Sequence, residues 1–532
     1  MSTLASASSP AAFGSAPKAD AGTNKWLVAI AVALGALLEV IDTSIVNVAL
    51  TEMQASLGAT LTQMSWVVSS YAIANVIILP LSAWLGVRFG KKNYFLFSLI
   101  GFTISSVLCG VSNSLWMLTV ARILQGLCGG GLLAKAQAIL FETFPREEQA
   151  MAQGFFGAIV IAGPVIGPTL GGYIVTNIGW RWIFFINVPV GIAAVFMCIS
   201  ALPKDAKRVG PKAPIDWWSI GLLALGLGCF QTFLEEGHSE DWFDSPWITL
   251  SALVAIGSII FFVVRTLGSK DPVVDLRVFR YRSLAAGSAL SIVIGMALYG
   301  ALFSIPIFAS SVMHYTSQQT GMLLLPGALA SAFAMPIAAR LLKSFDPRAI
   351  LFAGGVTLAF AVLWLGQLTP MTSADDLAWP LVVRSFGTVM MFLPLSMAAL
   401  GPIPKKDVAA STAIYNLTRQ LGGSIGVALL STLLDNRQTL HRASVVAHLS
   451  ITDPAVQARF AMLTSGFIGK GADAAQAQAR ALTVLDGSAR LQGAVMAFND
   501  TFRATAVLIV VTLPLILFLG RPKAGTAPIA DH

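Results

Sequence analysis

The apolar residues of this chain come in long unbroken blocks, and that blocking limits the fold more than any other feature. A helix crossing the hydrocarbon core of a bilayer takes roughly 20 predominantly apolar residues. Each block is near or above that length. Fourteen of them are readable: Trp26–Leu50, Gln63–Leu85, Tyr94–Val111, Leu115–Ile139, Gln153–Ile174, Trp182–Leu202, Trp217–Leu234, Trp247–Val264, Leu284–Phe308, Gly321–Leu342, Ala349–Leu368, Trp379–Leu400, Ala409–Leu434 and Ala494–Leu519. Charged residues make up 11% of the chain and hydrophobic ones 56%, whereas a soluble domain carries about 25% charge. A soluble surface cannot be built from so little charge. The blocks therefore predict an all-α polytopic membrane protein in a lipid bilayer.

The net charge of +8 is not a nucleic-acid footprint, because its basic residues alternate with the spans. Loops after even-numbered spans hold Arg88, Lys91 and Lys92, then Arg146, then Lys204, Lys207, Arg208 and Lys212. Further on come Arg265, Lys270, Arg277, Arg280 and Arg282, then Arg340, Lys343 and Arg348, then Lys405 and Lys406. Lys18, Lys25, Arg521 and Lys523 lie in the tails, and the short loops after odd-numbered spans hold one basic residue, Arg181. Lys and Arg mark the cytoplasmic side, so both termini are expected there. The acidic loop "EEGHSEDWFD" is expected outside. Cys109, Cys128, Cys198 and Cys229 fall inside spans and read as small apolar packing residues. The first 25 residues read as a disordered tail.

Charges inside a span are costly and normally face a cavity or a partner. At 1.5 Å per residue, Glu39 and Asp42 lie roughly 20 and 24 Å from the start of the first span. Arg122 lies roughly 10 Å from the outer end of the fourth, hence at a similar depth. Spans one and four can thus set a carboxylate against a guanidinium. Glu39 and Asp42 are three apart on a helix and share a face. Two acids that close in low dielectric titrate as a unit. A carboxylate that exchanges a proton for an arginine is a proton-coupling device; the plain alternative is a fixed ion pair that positions helices. Glu39 can also bind a cationic substrate.

Other intramembrane polar residues follow. Tyr415, Asn416, Arg419, Gln420 and Gly423 lie on one face of span thirteen, as a cavity wall or a structural network. Arg384, in span twelve, lines an outer vestibule or snorkels, and Lys135 is expected to snorkel. Asp500 and Arg503 are read as a local ion pair. Span five reads "GAIVIAGPVIGPTLGG", with Gly163, Gly167 and Gly171 every four residues and Pro164 and Pro168 between them. Such spacing lets helix backbones approach closely, and the prolines predict a bend. "PLSAWLGVRFGKK" and "PIAARLLKSFDPR" form a faint internal repeat of the kind found in transporters built from duplicated halves. Residues 435–491 form an outer segment predicted as one or two amphipathic helices with a break at Gly469–Gly471.

Enzyme signatures fail. "GGSIG" matches G-x-S-x-G, but that motif needs a strand-to-helix turn. No phosphate-binding loop or metal-spaced ligand pair is present in the sequence. No cofactor is expected, and without a nucleotide site any active transport must draw on an ion gradient.

Several of these stretches resemble the major facilitator superfamily, and within it the fourteen-span drug/proton antiporter branch of the EmrB/QacA type. "LEVIDTSIVNVAL" is similar to that branch's first-span signature, with Asp42 as its acid and Asn47 beyond it. "LTVARILQGLCGGG" resembles motif B, with Arg122 and Gln125–Gly126. "GPVIGPTLGG", from Gly163 to Gly172, resembles the antiporter motif C, and "WRWIFFINVPVG" and "YNLTRQLGGSIG" are also typical.

The resemblance implies two six-helix pseudo-symmetric bundles, 26–202 and 284–519, with two extra central helices in 203–283. Tails would lie at 1–25 and 520–532, and a long periplasmic segment at 435–491. It implies proton-driven export of hydrophobic or cationic small molecules by alternating access from a bacterial inner membrane. A dedicated exporter of one metabolite, siderophore or antibiotic is the alternative. Glu39, Asp42 and Arg122 would couple protons. Asn47, Gln125, Arg384, Tyr415, Asn416, Arg419 and Gln420 would line the substrate cavity. A periplasmic membrane-fusion adaptor and an outer-membrane channel are implied partners. Motif A is altered: Arg88, Gly90 and Lys91 remain, but Ala83 and Val87 stand where relatives carry Gly and Asp. Cytoplasmic closure is therefore expected to rest on other contacts.

Overall fold

The computed structural model describes residues 24–205, 214–450 and 452–519. Three expectations lie outside the described residues: the disordered tail up to residue 23 with Lys18, the basic stretch with Lys207, Arg208 and Lys212, and the tail from 520 with Arg521 and Lys523. Among the described residues the secondary structure is helical, with no strand.

The helices of the first half are α1 (Lys25–Leu57), α2 (Leu61–Phe89), α3 (Lys91–Gly110), α4 (Leu115–Gly129), α5 (Leu132–Thr143), α6 (Arg146–Asn177), α7 (Trp182–Phe185) and α8 (Asn187–Ala201). Next come α9 (Trp217–Glu236) and α10 (Pro246–Gly268). The remainder are α11 (Arg282–Ser311), α12 (Ser317–Ser344), α13 (Pro347–Leu365), α14 (Ala374–Leu400), α15 (Lys405–Ala447), α16 (Pro454–Ile468) and α17 (Ala474–Thr512).

Twelve of the described helical segments are long and apolar enough to span a bilayer. Helices α11 and α15 bring the count to the fourteen read from the sequence. Helix α15 falls short on composition because it carries Asn416, Arg419 and Gln420.

Two spans are broken. Span four is α4 followed by α5, interrupted at Gly130 and Gly131, where Gly131 takes φ +81. That left-handed geometry is open to glycine at little cost. Span six is α7 followed by α8, interrupted at Ile186. The repeat segments occupy equivalent places. Pro80 lies within α2 and Pro336 within α12; Phe89 ends α2 and Phe345 caps α12.

The glycine run of span five explains how α1 is held. A Cβ on Gly163 would meet Val40, one on Gly167 would meet Ser44, and one on Gly171 would meet Ile45. All three neighbours belong to α1. Ser44 Oγ donates to the Gly163 carbonyl at 3.5 Å. Gly172 instead faces the backbone at Ser317 and Gln318 of α12. Helix α6 runs unbroken through Pro164 and Pro168, clamping α1 on one side and α12 on the other. Helix α9 packs on α10 and bridges α2 and α15.

Candidate functional site

Helix α1 presents its two acids to different neighbours. Asp42 is fully buried, and its Oδ2 accepts from Arg122 Nη1 at 2.5 Å. Its Oδ1 accepts from Gln125 Nε2 at 2.9 Å and from Asn187 Nδ2 at 3.1 Å. Arg122 also donates from Nε to the Val67 carbonyl at 3.0 Å and from Nη1 to Gln125 Oε1 at 2.8 Å. Its Cζ lies 4.2 Å from the Tyr71 ring centroid, a cation–π contact. Ser106 closes the cluster, with its Oγ accepting from Asn187 Nδ2 at 3.1 Å. A buried ion pair withstands desolvation only when hydrogen bonds satisfy its remaining atoms, and here Val67 of α2, Gln125 of α4 and Asn187 of α8 supply them.

Glu39 points elsewhere. Its Oε1 accepts from Asn75 Nδ2 of α2 at 2.8 Å, and its Oε2 accepts from the Leu133 N–H at 2.7 Å. Leu133 lies in the first turn of α5. The glycine break in span four thus frees backbone N–H groups at a new helix start, and Glu39 satisfies one of them at the positive end of the helix dipole. Arg122 therefore meets one of the two acids, Asp42.

Lys135 does not snorkel. It is buried, donates to Ser98 Oγ at 2.6 Å and lies 4.0 Å from the Tyr94 ring centroid. It sits eight residues before Thr143, about 12 Å of helical rise, with its ammonium held by Ser98 and Tyr94. Arg384 does not snorkel either. It is 7% exposed and ten residues inside α14, about 15 Å from the helix start.

The expected cavity wall on α15 divides. Asn416 and Arg419 turn toward the first half of the chain. Asn416 Nδ2 donates to Gln137 Oε1 of α5 at 2.6 Å, and Arg419 Nη2 donates to Asn416 Oδ1 at 2.5 Å. Tyr415 is instead buried in the apolar core, and Gly423 packs on Tyr299 of α11. Close packing on α11 takes both out of a cavity lining. Gln420 is half-buried and Asn47 exposed. Gln125 belongs to the Asp42 cluster rather than to a cavity wall.

Sequence reasoning did not single out Asn75, Asn187 or Gln137. Each is an amide inside an apolar stretch, the same signal that marked Asn416. It also left Glu235 and Glu236 in a solvated loop. Glu236 is 2% exposed and accepts from Ser69 Oγ at 2.6 Å, while Glu235 accepts from Gln231 Nε2 at 2.7 Å. Asp500 makes more than a local pair: His441 Nε2 lies 2.9 Å from its Oδ2, Arg437 3.6 Å from it, and Arg503 3.8 Å from its Oδ1.

Where α2 leads into α3, Val87 is exposed and Arg88 stacks over Trp84 at 5.4 Å. Lys91 pairs with Glu142 at 2.6 Å, and Lys405 Nζ donates to the Glu142 carbonyl at 3.3 Å. A cavity of about 230 Å³ lies at this seam, between Phe141, Pro145 and Arg146 on one side and Leu400 and Val408 on the other. A Cβ on Gly90, which has φ +95, would collide with Asp205. That carboxylate accepts from the Lys92 and Asn93 N–H groups at 3.0 Å each and so caps α3.

The profile of the Major Facilitator Superfamily matches residues 32–427. The chain is 32% identical over 502 residues to the multidrug export protein EmrB of Escherichia coli (strain K12), covering 94% of this chain and 96% of that protein. It is 32% identical over 500 residues to the colistin resistance protein EmrB of Acinetobacter baumannii, covering 94% and 97%. The crystal structure of the human organic anion transporter MFSD10 superposes with a TM-score of 0.57 at 13% identity, covering 92% of this chain and 99% of that one, which concerns the fold alone. With fourteen helical spans, a buried acid–arginine pair and these matches, the chain belongs to the major facilitator superfamily of membrane transporters.

Proposed function

We propose that the protein exports hydrophobic or cationic small molecules across the bacterial inner membrane by alternating access, in exchange for protons. The observation that carries this reading is the Asp42–Arg122 pair. It is fully enclosed, it has no solvent-side role, and α6 clamps its helix through the glycines of motif C. Multidrug export by relatives about 32% identical over nearly the whole chain supports the substrate class.

Protonation of Asp42 would cancel its charge and release Arg122 to other acceptors. Glu39, which ties α1 to α2 and to the start of α5, is the second acid in that exchange. Asn47, Arg384, Asn416, Arg419 and Gln420 are the polar groups proposed to meet substrate. Gln137, bonded to Asn416, marks the seam between the halves.

The halves are assigned as 26–202 and 284–519, with α9 and α10 between them and both termini cytoplasmic. The outer segment is proposed to dock a periplasmic membrane-fusion adaptor leading to an outer-membrane channel. Its helix α16 has no buried residue, and α15 and α17 carry it beyond the membrane.

The test is substrate-driven proton flux in vesicles containing the purified protein. Wild type is expected to acidify or alkalinise the lumen in step with transport. Asp42→Asn, verified as inserted and folded, is expected to reduce coupled flux to background. Undiminished coupled flux in that variant overturns the mechanism.

A further inference from the structure

Two further acids lie between the halves and take no part in the Asp42 cluster. Glu235 and Glu236 are the last residues of α9, the helix that bridges α2 in the first half of the chain and α15 in the second. Glu236 is buried and Glu235 half-buried. Each reaches a different half. Glu236 accepts from Ser69 Oγ at 2.6 Å and from Ser65 Oγ at 3.2 Å, both on α2, and from Ser239 Oγ at 3.4 Å. Glu235 Oε1 accepts from Gln231 Nε2 at 2.7 Å and from Ser424 Oγ of α15 at 3.4 Å. Gln231 Nε2 also donates to Ser424 Oγ at 2.7 Å, and Trp242 Nε1 donates to Thr432 Oγ1 of α15 at 3.1 Å.

This junction suits one negative charge better than two. Neither acid forms an ion pair among the described residues. The two lie within electrostatic reach of each other, at the C-terminal end of α9, where the helix dipole disfavours anions. Neighbouring carboxylates enclosed without a cation titrate as a unit. Their donors are unequal: three hydroxyls serve Glu236, whereas one amide and one long hydroxyl contact serve Glu235. Gln231 is 1% exposed, and its Oε1 has no donor. A buried acceptor without a donor is costly. A proton on Glu235 supplies the donor that this carbonyl lacks, reached by a turn of the amide, and a proton needs no cavity.

The surrounding elements offer no counter-charge to Glu235. Helix α2 carries Tyr71 and Arg88, and Arg88 stacks on Trp84. Helix α10 carries Arg265, which pairs with Asp216 at the opposite end of α9. On α15, Arg419 precedes Ser424 by five residues and is bound to Asn416, and Asp435 lies beyond it. The connection to α10 holds His238, Glu240, Asp241 and Asp244, with Glu240 accepting from Trp247 Nε1 at 3.4 Å.

We propose that Glu235 is a second proton-binding residue, carried by the linker helix, and that its charge holds α9 to α15 across the seam between the halves. This rests on the proton-exchange reading and gives the two extra helices a part in it. With Glu235 charged, Gln231 and Ser424 donate to an anion, and such bonds are about twice as strong as neutral ones. A proton removes the anion and loosens α9 from α15. Glu236 keeps α9 on α2 through hydroxyls of two successive turns, so the linker helix moves with the first half and parts from the second.

The test follows amide hydrogen exchange over residues 424–432 of α15 in the purified full chain in lipid nanodiscs, corrected for the intrinsic pH dependence of exchange. In wild type, exchange there is expected to rise about fivefold from mildly alkaline to mildly acidic pH, the equivalent of about one hydrogen bond. Glu235→Gln, uncharged at every pH, is expected to show the raised rate throughout, and Glu235→Asp to keep part of the pH dependence. Thr432→Val breaks the Trp242 contact without touching an acid. It is expected to raise exchange at every pH while the difference persists. In vesicles, Glu235→Gln is expected to shift the pH profile of coupled flux, and Thr432→Val to change its rate alone.

A pH difference that survives in Glu235→Gln overturns the assignment. So does a wild type whose exchange at 424–432 is the same at both pH values, a result that stands even if the variants fail to fold. A difference lost equally in Thr432→Val overturns it as well, because that variant keeps the acid. An unaltered flux profile in Glu235→Gln overturns the coupling role. Loss of substrate-driven proton flux in wild type overturns the export reading alone, because exchange at the seam is read without substrate.

Discussion

At the residue scale, the buried acid is held by more than its arginine. Asp42 accepts three side-chain donors, and Asn187 is the one that no charge argument finds. A hydrogen bond to a charged group contributes about 1.5–3 kcal/mol. Asn187→Ala is therefore expected to destabilise by about that much, seen as a lower midpoint for thermal unfolding in detergent. It should also change the pH profile of export, because Ser106 and Asp42 both lose a donor. An unchanged midpoint and profile would show Asn187 to be incidental. Arg122 imposes a second expectation. Asp42→Asn leaves a buried guanidinium without its counter-charge, the situation that costs about 3–5 kcal/mol when one partner of a buried pair is removed. Removing both charges, in Asp42→Asn with Arg122→Gln, should restore much of the thermal stability and none of the proton flux. Recovery of flux in the double variant would contradict the coupling role.

At the scale of elements, the close contact of α6 on α1 invites a steric test. Gly167 sits against Ser44, whereas Gly221 on α9 has nothing within 4 Å of an added Cβ. Overpacking typically costs about 1–3 kcal/mol. Gly167→Ala is expected to lower export several-fold while Gly221→Ala preserves it, compared at equal amounts of inserted protein. Equal export by the two variants would remove α6 from the transport cycle. The glycine and proline spacing of this helix was legible because small residues every four positions predict close approach. Its neighbour was not, since a one-dimensional pattern carries no partner. The break in span four was missed for a related reason. Its signal, Gly129–Gly130–Gly131, lies in an apolar run that meets every criterion for one continuous helix. Only the acid three-dimensionally beside it, Glu39 at the Leu133 N–H, shows that the break creates a helix start.

For the whole molecule, the span count and class followed from blocks of apolar residues, because a bilayer admits few other solutions. The outer segment was legible as helical and as broken near Gly469, where α16 ends. What the sequence did not reveal is that α15 and α17 continue beyond their spans as a paired stalk. Thirteen residues of α15 follow Leu434, about 20 Å of rise. Arg442 pairs with Asp486 at 2.6 Å, and a Cβ on Gly493 would lie 3.0 Å from the Arg442 backbone nitrogen. His441 and Asp500 lock the base. A stalk held this way keeps its shape without its tip. Replacing residues 448–473 with a short glycine–serine linker is therefore expected to leave insertion and proton-coupled transport in vesicles intact. The same deletion should abolish co-purification with the adaptor and resistance in cells, because α16 has no buried residue to contribute to the transporter itself. Undiminished adaptor capture by the shortened protein would move the docking surface to the stalk or the membrane spans; loss of transport in vesicles would make α16 part of the transport unit.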